Sequence, residues 1–249
     1  MPASEIFSRN EMFWGKDSQN ILACRHAAVF GLGGVGGYCA EALARAGVGN
    51  LTIIDFDEVS TSNSNRQIIA LNSTVGKKKS LLFAERLRDI NPEINLNVFD
   101  EFYVDDFDWK GIDFAADAID TMRSKISLLE NCVKRNIPVI SSMGAGNRMD
   151  PTQLYICDIK DIENKNAPFV SNIIYQLSKR GITEGITVVA SREKPFCREK
   201  ITGEEKVILK NGEEIEFNKI TPASTPFVAS TAGIYMAYHI VNEFIKRGK

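Results

Sequence analysis

The segment from Val29 to Asp57 constrains the fold more than any other part of the chain. It has the pattern of a short apolar strand, a glycine-rich turn, an amphipathic helix and a second apolar strand. Because glycine has no Cβ, the turn can adopt positive φ angles and approach a phosphate closely. The helix that follows directs its free N–H groups and its positive dipole end at the same point. The segment therefore predicts an anion site at four glycines, Gly31, Gly33, Gly34 and Gly36.

Asp55 lies at the end of the second strand, and Asp57 follows it. Asp55 lies near the spacing of ~20 residues after the first glycine that is typical of a carboxylate that binds ribose hydroxyls. The same pattern occurs in NAD-dependent dehydrogenases and in other nucleotide-binding enzymes. The segment predicts a nucleotide site, and it leaves open which nucleotide binds and what reaction follows.

Strands and helices alternate through the first 150 residues. Apolar runs predict strands at 26–30, 51–55, 95–99, 114–119 and 138–142, and helical periodicity predicts helices at 18–24, 34–46, 74–89 and 123–136. This alternation favours a Rossmann-like α/β fold, with a mainly parallel sheet and helices on both of its faces. Such sheets bind ligands beyond the carboxyl ends of their strands, where we expect Asp55, Asp57 and Asp120 to meet.

The pattern changes after residue 150. We predict strands at 153–158 and 187–191, a helix at 168–179 and a closing helix at 227–246. Segments 206–209 and 214–217 flank Asn211-Gly212, which is a good signal for a β-hairpin. We therefore predict a single domain with an N-terminal arm (1–25), a nucleotide-binding core (26–150) and an antiparallel extension that shapes the substrate site (151–249).

Composition restricts the classes of partner. The chain has 249 residues and a formal net charge of −2, so a polyanionic partner needs a local basic patch. Three candidate patches are residues 77–79, residues 192, 194, 198 and 200, and residues 246, 247 and 249. The first 20 residues have no apolar signal core, and no apolar run reaches the length of a membrane span. We expect a cytoplasmic protein without a membrane partner.

The five cysteines are scattered and form no CxxC pair. An odd number of dispersed cysteines indicates reduced thiols and not a disulfide framework. A tetrahedral zinc site usually draws on closely spaced cysteine pairs. No zinc is therefore expected.

Three features after the glycine turn favour phosphoryl or nucleotidyl transfer over hydride transfer. Arg66, in the polar loop that contains Asn63, could offset charge that develops on a transferred phosphorus. Lys79, at the start of a helix, suits the β- and γ-phosphates as a point charge. Asp120 could hold Mg²⁺ together with phosphate oxygens and water. Taken alone, Arg66 fits a surface salt bridge, Lys79 fits a solvated helix start and Asp120 fits a helix cap. The order of all three after one glycine turn favours an ATP site.

These motifs resemble those of the adenylating enzymes related to the ubiquitin-activating enzyme. The segments that carry the resemblance are GLGGVG, DFDEVSTSNSNRQ, VGKKK and DAIDT, which lie between residues 31 and 121. Members use Mg-ATP to adenylate a carboxylate and release pyrophosphate. The resemblance implies that Asp55 binds the ribose, that Asn63, Arg66 and Lys79 contact the phosphates, and that Asp120 carries Mg²⁺. It also implies a homodimer, in which the arm presents Arg9 to the ATP site of the neighbouring subunit.

Within that family the chain is most similar to the branch that dehydrates threonylcarbamoyladenosine in tRNA. The similarity rests on AEALARAG, TSNSNRQ, DAID and GAGNRMDPTQ, and it implies tRNA as a partner and a sulfur-relay protein as a further candidate. The alternative is adenylation of the C-terminal glycine of a ubiquitin-like sulfur carrier, against which the missing zinc cysteines count. Relatives in the dehydratase branch have a cysteine before the last helix, where this chain has PASTP at 222–226. A mechanism that needs a thiol there is not expected.

Overall fold

The computed structural model describes residues 3–198, 201–208 and 214–248. The helices in these residues are α1 (Ala3–Ile6), α2 (Ser8–Trp14), α3 (Lys16–Cys24), α4 (Gly36–Ala46), α5 (Lys79–Ile90), α6 (Met122–Lys134), α7 (Pro168–Ser178) and α8 (Pro226–Arg247). The strands are β1 (His26–Phe30), β2 (Asn50–Ile54), β3 (Asn95–Phe99), β4 (Phe114–Asp117), β5 (Val139–Ser142), β6 (Leu154–Asp158), β7 (Thr187–Ser191), β8 (Ile201–Ile208) and β9 (Glu214–Thr221).

Seven strands form one sheet in the order β3-β2-β1-β4-β5-β7-β6. All neighbours are parallel except β6, which pairs with β7 in the antiparallel direction. Strands β8 and β9 form a separate antiparallel ribbon. The predicted Rossmann-like α/β fold with an antiparallel extension is therefore confirmed. Because the chain moves outward from β1 to β3 and returns as β4 on the other side of β1, the strand order reverses between β1 and β4.

Each face of the sheet carries its own hydrophobic core. Ala27 and Val29 of β1 belong to a core that includes buried residues of α4, α5 and α8. Ala28 and Phe30 belong to a second core with α6 and α7. This alternation is the period-2 geometry of a strand that is buried on both faces. A Cβ at Gly233 would overlap the carbonyl oxygen of Val35, so this glycine allows α8 to lie close against α4.

The start of α5 differs from the prediction of a helix over 74–89. The residues before Lys79 bond to the segment after β2: Val59 N–H donates to Lys77 O, and Lys79 N–H donates to Asp57 O. Gly76 has a φ of 81°, which interrupts helical geometry. The helix therefore begins at Lys79. The prediction was wrong because tertiary backbone pairing outweighs local helix propensity at these residues.

The segments at both ends of the chain differ from the prediction in extent. The N-terminal arm consists of three helices, α1 to α3, of which only part of α3 is predicted from the sequence. The predicted hairpin corresponds to longer strands, with Ile208 opposite Glu214 in β8 and β9. Its Asn211-Gly212 turn lies outside the described residues, as do Lys200 and Lys249 of the predicted basic patches.

Among the helices that the structure describes, none has the length and apolar character needed to cross a bilayer.

Candidate nucleotide-binding site

A cavity of about 570 Å³ opens at the carboxyl edge of the sheet, beyond the ends of β1 and β4, where the strand order reverses. This is the position at which open α/β sheets bind nucleotides. The wall is built from the turns after β1, β2 and β4, the loop after β3, and the segment that leads into α8. All predicted site residues except Arg9 and Gly36 lie in this wall: Gly31, Gly33, Gly34, Asp55, Asp57, Asn63, Arg66, Lys79 and Asp120.

The glycine turn combines a left-handed backbone with close packing. Gly31 has a φ of 85°, and a Cβ there would lie 2.9 Å from the carbonyl oxygen of Ala118 in the turn after β4. Gly36 is the first residue of α4, and a Cβ there would overlap the carbonyl oxygen of Gly31. Gly33 has open space on its Cβ side, apart from the Gln67 amide at 3.8 Å. Gly31 and Gly36 thus shape the turn, while Gly33 leaves room for a ligand phosphate at the start of α4.

Asp55 connects the glycine turn to the end of β2. Its Oδ2 accepts the Leu32 N–H at 2.6 Å, and its Oδ1 accepts the Asp57 N–H at 2.8 Å. The residue is 7% exposed, and burial raises the pKa of its carboxyl group, an effect that the nearby charge of Lys79 opposes. Two backbone hydrogen bonds fix the carboxylate in one orientation at the cavity wall. A carboxylate held in this way can accept further hydrogen bonds from ribose hydroxyls.

Lys79 is buried at the cavity wall and forms an ion pair with Asp57. The distance from its Nζ to Asp57 Oδ2 is 2.8 Å, and the Lys79 and Asp57 side chains are 5% and 45% exposed. The lysine reaches this position because α5 begins there and the Lys79 N–H is bonded to Asp57 O. A buried ammonium with one carboxylate partner has donors left for a phosphate.

Arg66 also lines the cavity and lies in the loop after β2. Its Nη1 donates to Ser62 O and to Asn65 Oδ1, both at 2.9 Å, so the guanidinium is oriented before any ligand binds. Asn63 is 8% exposed and its Oδ1 accepts the Ser60 N–H, which closes a short 3₁₀ turn. Burial lowers the pKa of Arg66, and the charge of Asp120 opposes this shift.

Asp120 lies in the turn between β4 and α6 and is exposed at the cavity. Its charge acts on Arg66, and its Oδ1 accepts a long hydrogen bond of 3.4 Å from Thr121. Mg²⁺ typically takes one or two protein carboxylates together with phosphate oxygens and water. In the part of the chain that the structure describes, no group of three His, Cys, Asp or Glu side chains could enclose a metal alone. A Mg²⁺ ion at Asp120 would therefore need phosphate oxygens and water as its other ligands.

An aromatic and amide part of the wall was not predicted from the sequence. Phe56 and Phe102 pack edge to face with ring centroids 4.9 Å apart, and Tyr103 also lines the cavity. Gln67 is 7% exposed, and within the described residues its Oε1 is buried without a hydrogen-bond partner. Phe56 lies between Asp55 and Asp57 in the DFD motif, and this position could have predicted that it lines the cavity. Phe102 and Tyr103 follow β3 in a loop without periodicity, where the sequence gives no such signal.

The segment before α8 closes the cavity from the side. Pro222 and Ser224 line it, and Asn65 Nδ2 donates to Ser224 O at 2.8 Å. Ala223 pairs with Asn147, donating its N–H to Asn147 Oδ1 and accepting the Asn147 N–H at 2.7 Å. Ser224 thus lies near the position where relatives are expected to carry a cysteine.

The cysteines take no part in this wall. Among the described residues that line the cavity there is no cysteine. Cys39 and Cys132 are buried, and burial raises the pKa of both thiols. Burial also raises the pKa of Cys157 to about 11. These three thiols are therefore protonated at neutral pH and poorly suited to act as nucleophiles.

Arg9 is not brought to the cavity of its own chain. It lies on α2 and is exposed. The neighbouring Met12 and Phe13 on the same helix are 87% and 88% exposed. Two large apolar side chains of α2 are therefore open to solvent near Arg9.

Comparison with known proteins places this geometry in a family. The model of the ThiF family matches residues 7–241. The chain belongs to the ThiF family. Its match to that family spans the glycine turn, all the cavity turns and most of α8.

Two known proteins resemble nearly the whole chain, and a third resembles about half of it. A Bacillus subtilis protein named tRNA threonylcarbamoyladenosine dehydratase is 42% identical over 246 residues, which cover 96% of this chain and 94% of that protein. The crystal structure of the E. coli tRNA N6-threonylcarbamoyladenosine dehydratase in complex with ATP superposes with a TM-score of 0.85 and 29% identity, over 98% of this chain and 95% of that one. The E. coli molybdopterin-synthase adenylyltransferase is 35% identical over 138 residues, 54% of each chain.

Proposed function

We propose that this chain is an ATP-dependent tRNA threonylcarbamoyladenosine dehydratase. The observation that carries the proposal is one cavity that combines a glycine cradle with two cations, Arg66 and Lys79, and the carboxylate of Asp120. A dehydrogenase needs no such charges, whereas transfer of a nucleotidyl group needs cations around the reacting phosphorus. Similarity to the dehydratase from B. subtilis along nearly the whole chain supports this choice of substrate.

The proposed reaction activates a carboxylate. A carboxylate oxygen of the threonylcarbamoyl group attacks the α-phosphorus of ATP, the bond to the β-phosphate oxygen breaks, and pyrophosphate leaves. A nucleophile of the same modified base then attacks the activated carbonyl carbon, loses its proton, and displaces AMP with the former carboxylate oxygen. The base loses one water in total, and its loss is coupled to conversion of ATP to AMP and pyrophosphate. Closure of the ring within one bound molecule gains from proximity.

Residues of the cavity supply binding and charge. Asp55, fixed by its two backbone hydrogen bonds, accepts hydrogen bonds from the ribose hydroxyls. The open face of Gly33 and the start of α4 receive the phosphates, with Asn63 in support. Arg66 and Lys79 offset the negative charge that grows on the transferred phosphorus and on the departing pyrophosphate. Phe56 and Phe102 provide an apolar surface for the adenine ring.

Asp120 is the proposed protein ligand of Mg²⁺. The metal would supply charge neutralisation on the phosphate oxygens, as in other nucleotide-dependent transfers. Asp120 is suited to hold it because it is exposed at the cavity and interacts with Arg66 across it. Asp57 remains paired with Lys79 and orients that lysine.

Segment 192–198 is the proposed docking surface for tRNA. It follows β7 at the carboxyl edge of the sheet and is joined to the cavity rim, since Phe196 N–H donates to Asn147 O at 2.8 Å. Lys194 and Arg198 are exposed there, and Phe196 is 69% exposed and available to stack on an unpaired base. Arg192 contributes less, because Glu163 binds it through two guanidinium nitrogens.

The other two basic patches are less suitable. Lys79 is buried and Lys78 is paired with Glu58 and Asp100, which leaves Lys77 as the exposed lysine of that patch. Arg247 lines a separate cavity with Pro138 and Thr187, at the amino ends of β5 and β7. A tRNA bound there would be on the opposite edge of the sheet from the reacting phosphate.

We further propose a homodimer in which α2 of one subunit presents Arg9 to the cavity of the other. The exposure of Arg9, Met12 and Phe13 supports this arrangement, as does the fact that Arg9 does not line the cavity of its own chain. The arm would add a third cation to each site, and Arg9→Ala would then lower turnover without changing ATP binding in an isolated subunit.

Adenylation of a ubiquitin-like sulfur carrier is the second candidate. The adenylyltransferase of molybdopterin synthase resembles just over half of this chain, whereas the dehydratase relative resembles nearly all of it. The carrier reaction therefore has less support. A sulfur-relay partner is a prediction that rests only on family resemblance.

The decisive experiment is incubation of the purified protein with Mg-ATP and tRNA that carries threonylcarbamoyladenosine. Mass spectrometry of the released nucleosides should show loss of one water, with AMP formed in equal amount. Arg66→Ala provides an inactive control in the same assay. Formation of AMP only when a carrier protein with a C-terminal glycine is added would replace the dehydratase proposal with the second candidate. Thermal stabilisation by NAD and not by Mg-ATP would remove both.

A further inference from the structure

A completely buried ion pair lies behind the cavity wall. Lys125 Nζ is 2.7 Å from Asp117 Oδ2, and both side chains are 0% exposed. Ser141 donates its Oγ–H to the same carboxylate oxygen at 2.6 Å. Asp117 and Ser141 face each other because they are register partners in β4 and β5. Neither Asp117 nor Lys125 lines the nucleotide cavity.

The remaining bonds of this network end on the residue before Asp120. Asp117 Oδ1 accepts the Ile119 N–H at 3.1 Å, and Lys125 Nζ donates to Ile119 O at 3.0 Å. Both backbone polar groups of Ile119 are therefore held by the buried pair. One turn later, the Lys125 N–H donates to Thr121 O. The turn that contains Asp120 is bound on both sides to Lys125.

Burial of two charges is costly unless every lone pair and proton is satisfied, and apolar residues of the same size often stabilise a core equally well. The network lies between β4, β5 and α6, where apolar side chains would pack against the surrounding core. The hydrogen bonds of the network fix the backbone of Ile119, which apolar packing cannot do. The charged residues therefore determine the shape of the turn.

We propose that Asp117, Lys125 and Ser141 are positioning residues that hold the turn after β4 so that Asp120 faces the nucleotide phosphates. The inference rests on the proposed function, because it assigns to Asp120 the task of holding Mg²⁺ on ATP. It extends that function to three residues that touch neither nucleotide nor metal. Outer residues that orient a metal ligand commonly change metal affinity by about 10- to 100-fold when they are replaced.

The readout is the ratio of two dissociation constants for ATP, measured by isothermal titration calorimetry without tRNA. The dissociation constant measured in EDTA is divided by the one measured at saturating Mg²⁺. A ratio above one therefore reports how much the metal strengthens ATP binding. Lys125→Met removes the ammonium and keeps much of the side-chain volume. The double variant Asp117→Asn/Lys125→Met removes both charges and retains an acceptor for the Ile119 N–H. Ser141→Ala keeps the ion pair and removes one hydrogen bond.

We expect the ratio to fall about tenfold in Lys125→Met and in the double variant, toward the value of Asp120→Ala, and less in Ser141→Ala. Binding of ATP in EDTA should stay within about twofold of wild type. Lys134→Met is the matched control, because this lysine lies on the same helix and its side chain is 67% exposed, paired with Glu130. Its ratio should equal that of the wild type.

The outcomes separate the two proposals. A wild-type protein that binds ATP equally weakly with and without Mg²⁺ refutes the proposed function. A wild-type protein with a clear metal effect, and folded variants that keep the full ratio, refutes the positioning role alone. Thermal denaturation establishes which variants are folded. If both Lys125 variants unfold, Ser141→Ala decides, and a wild-type ratio in that variant overturns the inference.

Discussion

Replacement of Lys79 by methionine tests the electrostatics of the cavity most directly. The change removes a charge that is 2.8 Å from Asp57 and that also opposes the raised pKa of Asp55. Removal of one partner from a buried ion pair costs about 3–5 kcal/mol, and an exposed pair contributes about 0–1 kcal/mol. Because the Asp57 side chain is 45% exposed, we expect an intermediate loss of about 2 kcal/mol. For a chain of this size that corresponds to a decrease in Tm of roughly 4–8 °C.

The loss of stability in Lys79→Met should depend on pH. Burial already raises the pKa of Asp55, and loss of the lysine charge raises this pKa further. The folded variant then binds a proton that the unfolded chain releases, so stability falls as pH rises from the unfolded pKa through the folded pKa. The difference in Tm from wild type should therefore be larger at pH 8 than at pH 5.

Nucleotide affinity provides an independent measurement on Lys79→Met. A hydrogen bond to a charged group contributes about 1.5–3 kcal/mol, so Mg-ATP should bind about ten- to hundredfold more weakly. Lys77→Met is the control, since this lysine is exposed two residues earlier. Differential scanning fluorimetry at both pH values and calorimetric titration with Mg-ATP test the prediction. Equal Tm differences at pH 5 and pH 8, with ATP affinity within twofold of wild type, would refute the reasoning.

Three further predictions follow from the site. Arg66→Ala and Asp120→Ala should each abolish AMP production in the tRNA assay with an unchanged circular dichroism spectrum, and near-normal turnover removes that residue from the mechanism. Gly31→Ala should lower the free energy of unfolding by about 1–2 kcal/mol for the left-handed backbone alone, and the contact of the new Cβ with Ala118 O should weaken ATP binding. A wild-type Tm and a wild-type ATP affinity in this variant would contradict the prediction. Cys157→Ser should keep full turnover, since burial raises the pKa of this thiol to about 11, and a large loss measured by AMP release indicates a role for the thiol.

Regular patterns in the sequence predicted most of the sheet. The predicted strands at 26–30 and 95–99 coincide with β1 and β3. β1 is buried and apolar, as expected of a strand covered on both faces, whereas β3 is an edge strand in which exposed asparagines alternate with half-buried apolar residues. The edge at which Asp55, Asp57 and Asp120 meet followed from the common direction of parallel strands, and all three line one cavity. Sequence patterns were sufficient to predict a strand or helix where the burial of each residue depends on its position within that same strand or helix.

Features that depend on distant partners could not be predicted in this way. The start of α5 is determined by backbone bonds to Asp57 and Val59, which no local pattern contains. The buried Lys125 resembles a solvated lysine in the sequence, because its partner Asp117 is known only from the packing of α6 on β4. The aromatic wall formed by Phe102 depends on the path of an irregular loop. In each case the deciding contact joins two elements.

The closing wall of the cavity has a consequence for synthesis on the ribosome. Pro222, Ser224 and Ala229 complete a site whose other lining residues end at Gly146, and α8 must pack on α4 before this wall is in place. Translation proceeds at about 5–20 residues per second, so roughly 5–20 s separate the appearance of Asp120 from that of Ala229. During this interval a nascent chain displays the phosphate cradle without its wall. We therefore expect tight nucleotide binding to begin only after α8 has emerged, so that bound ATP distinguishes chains with a docked α8 from shorter intermediates.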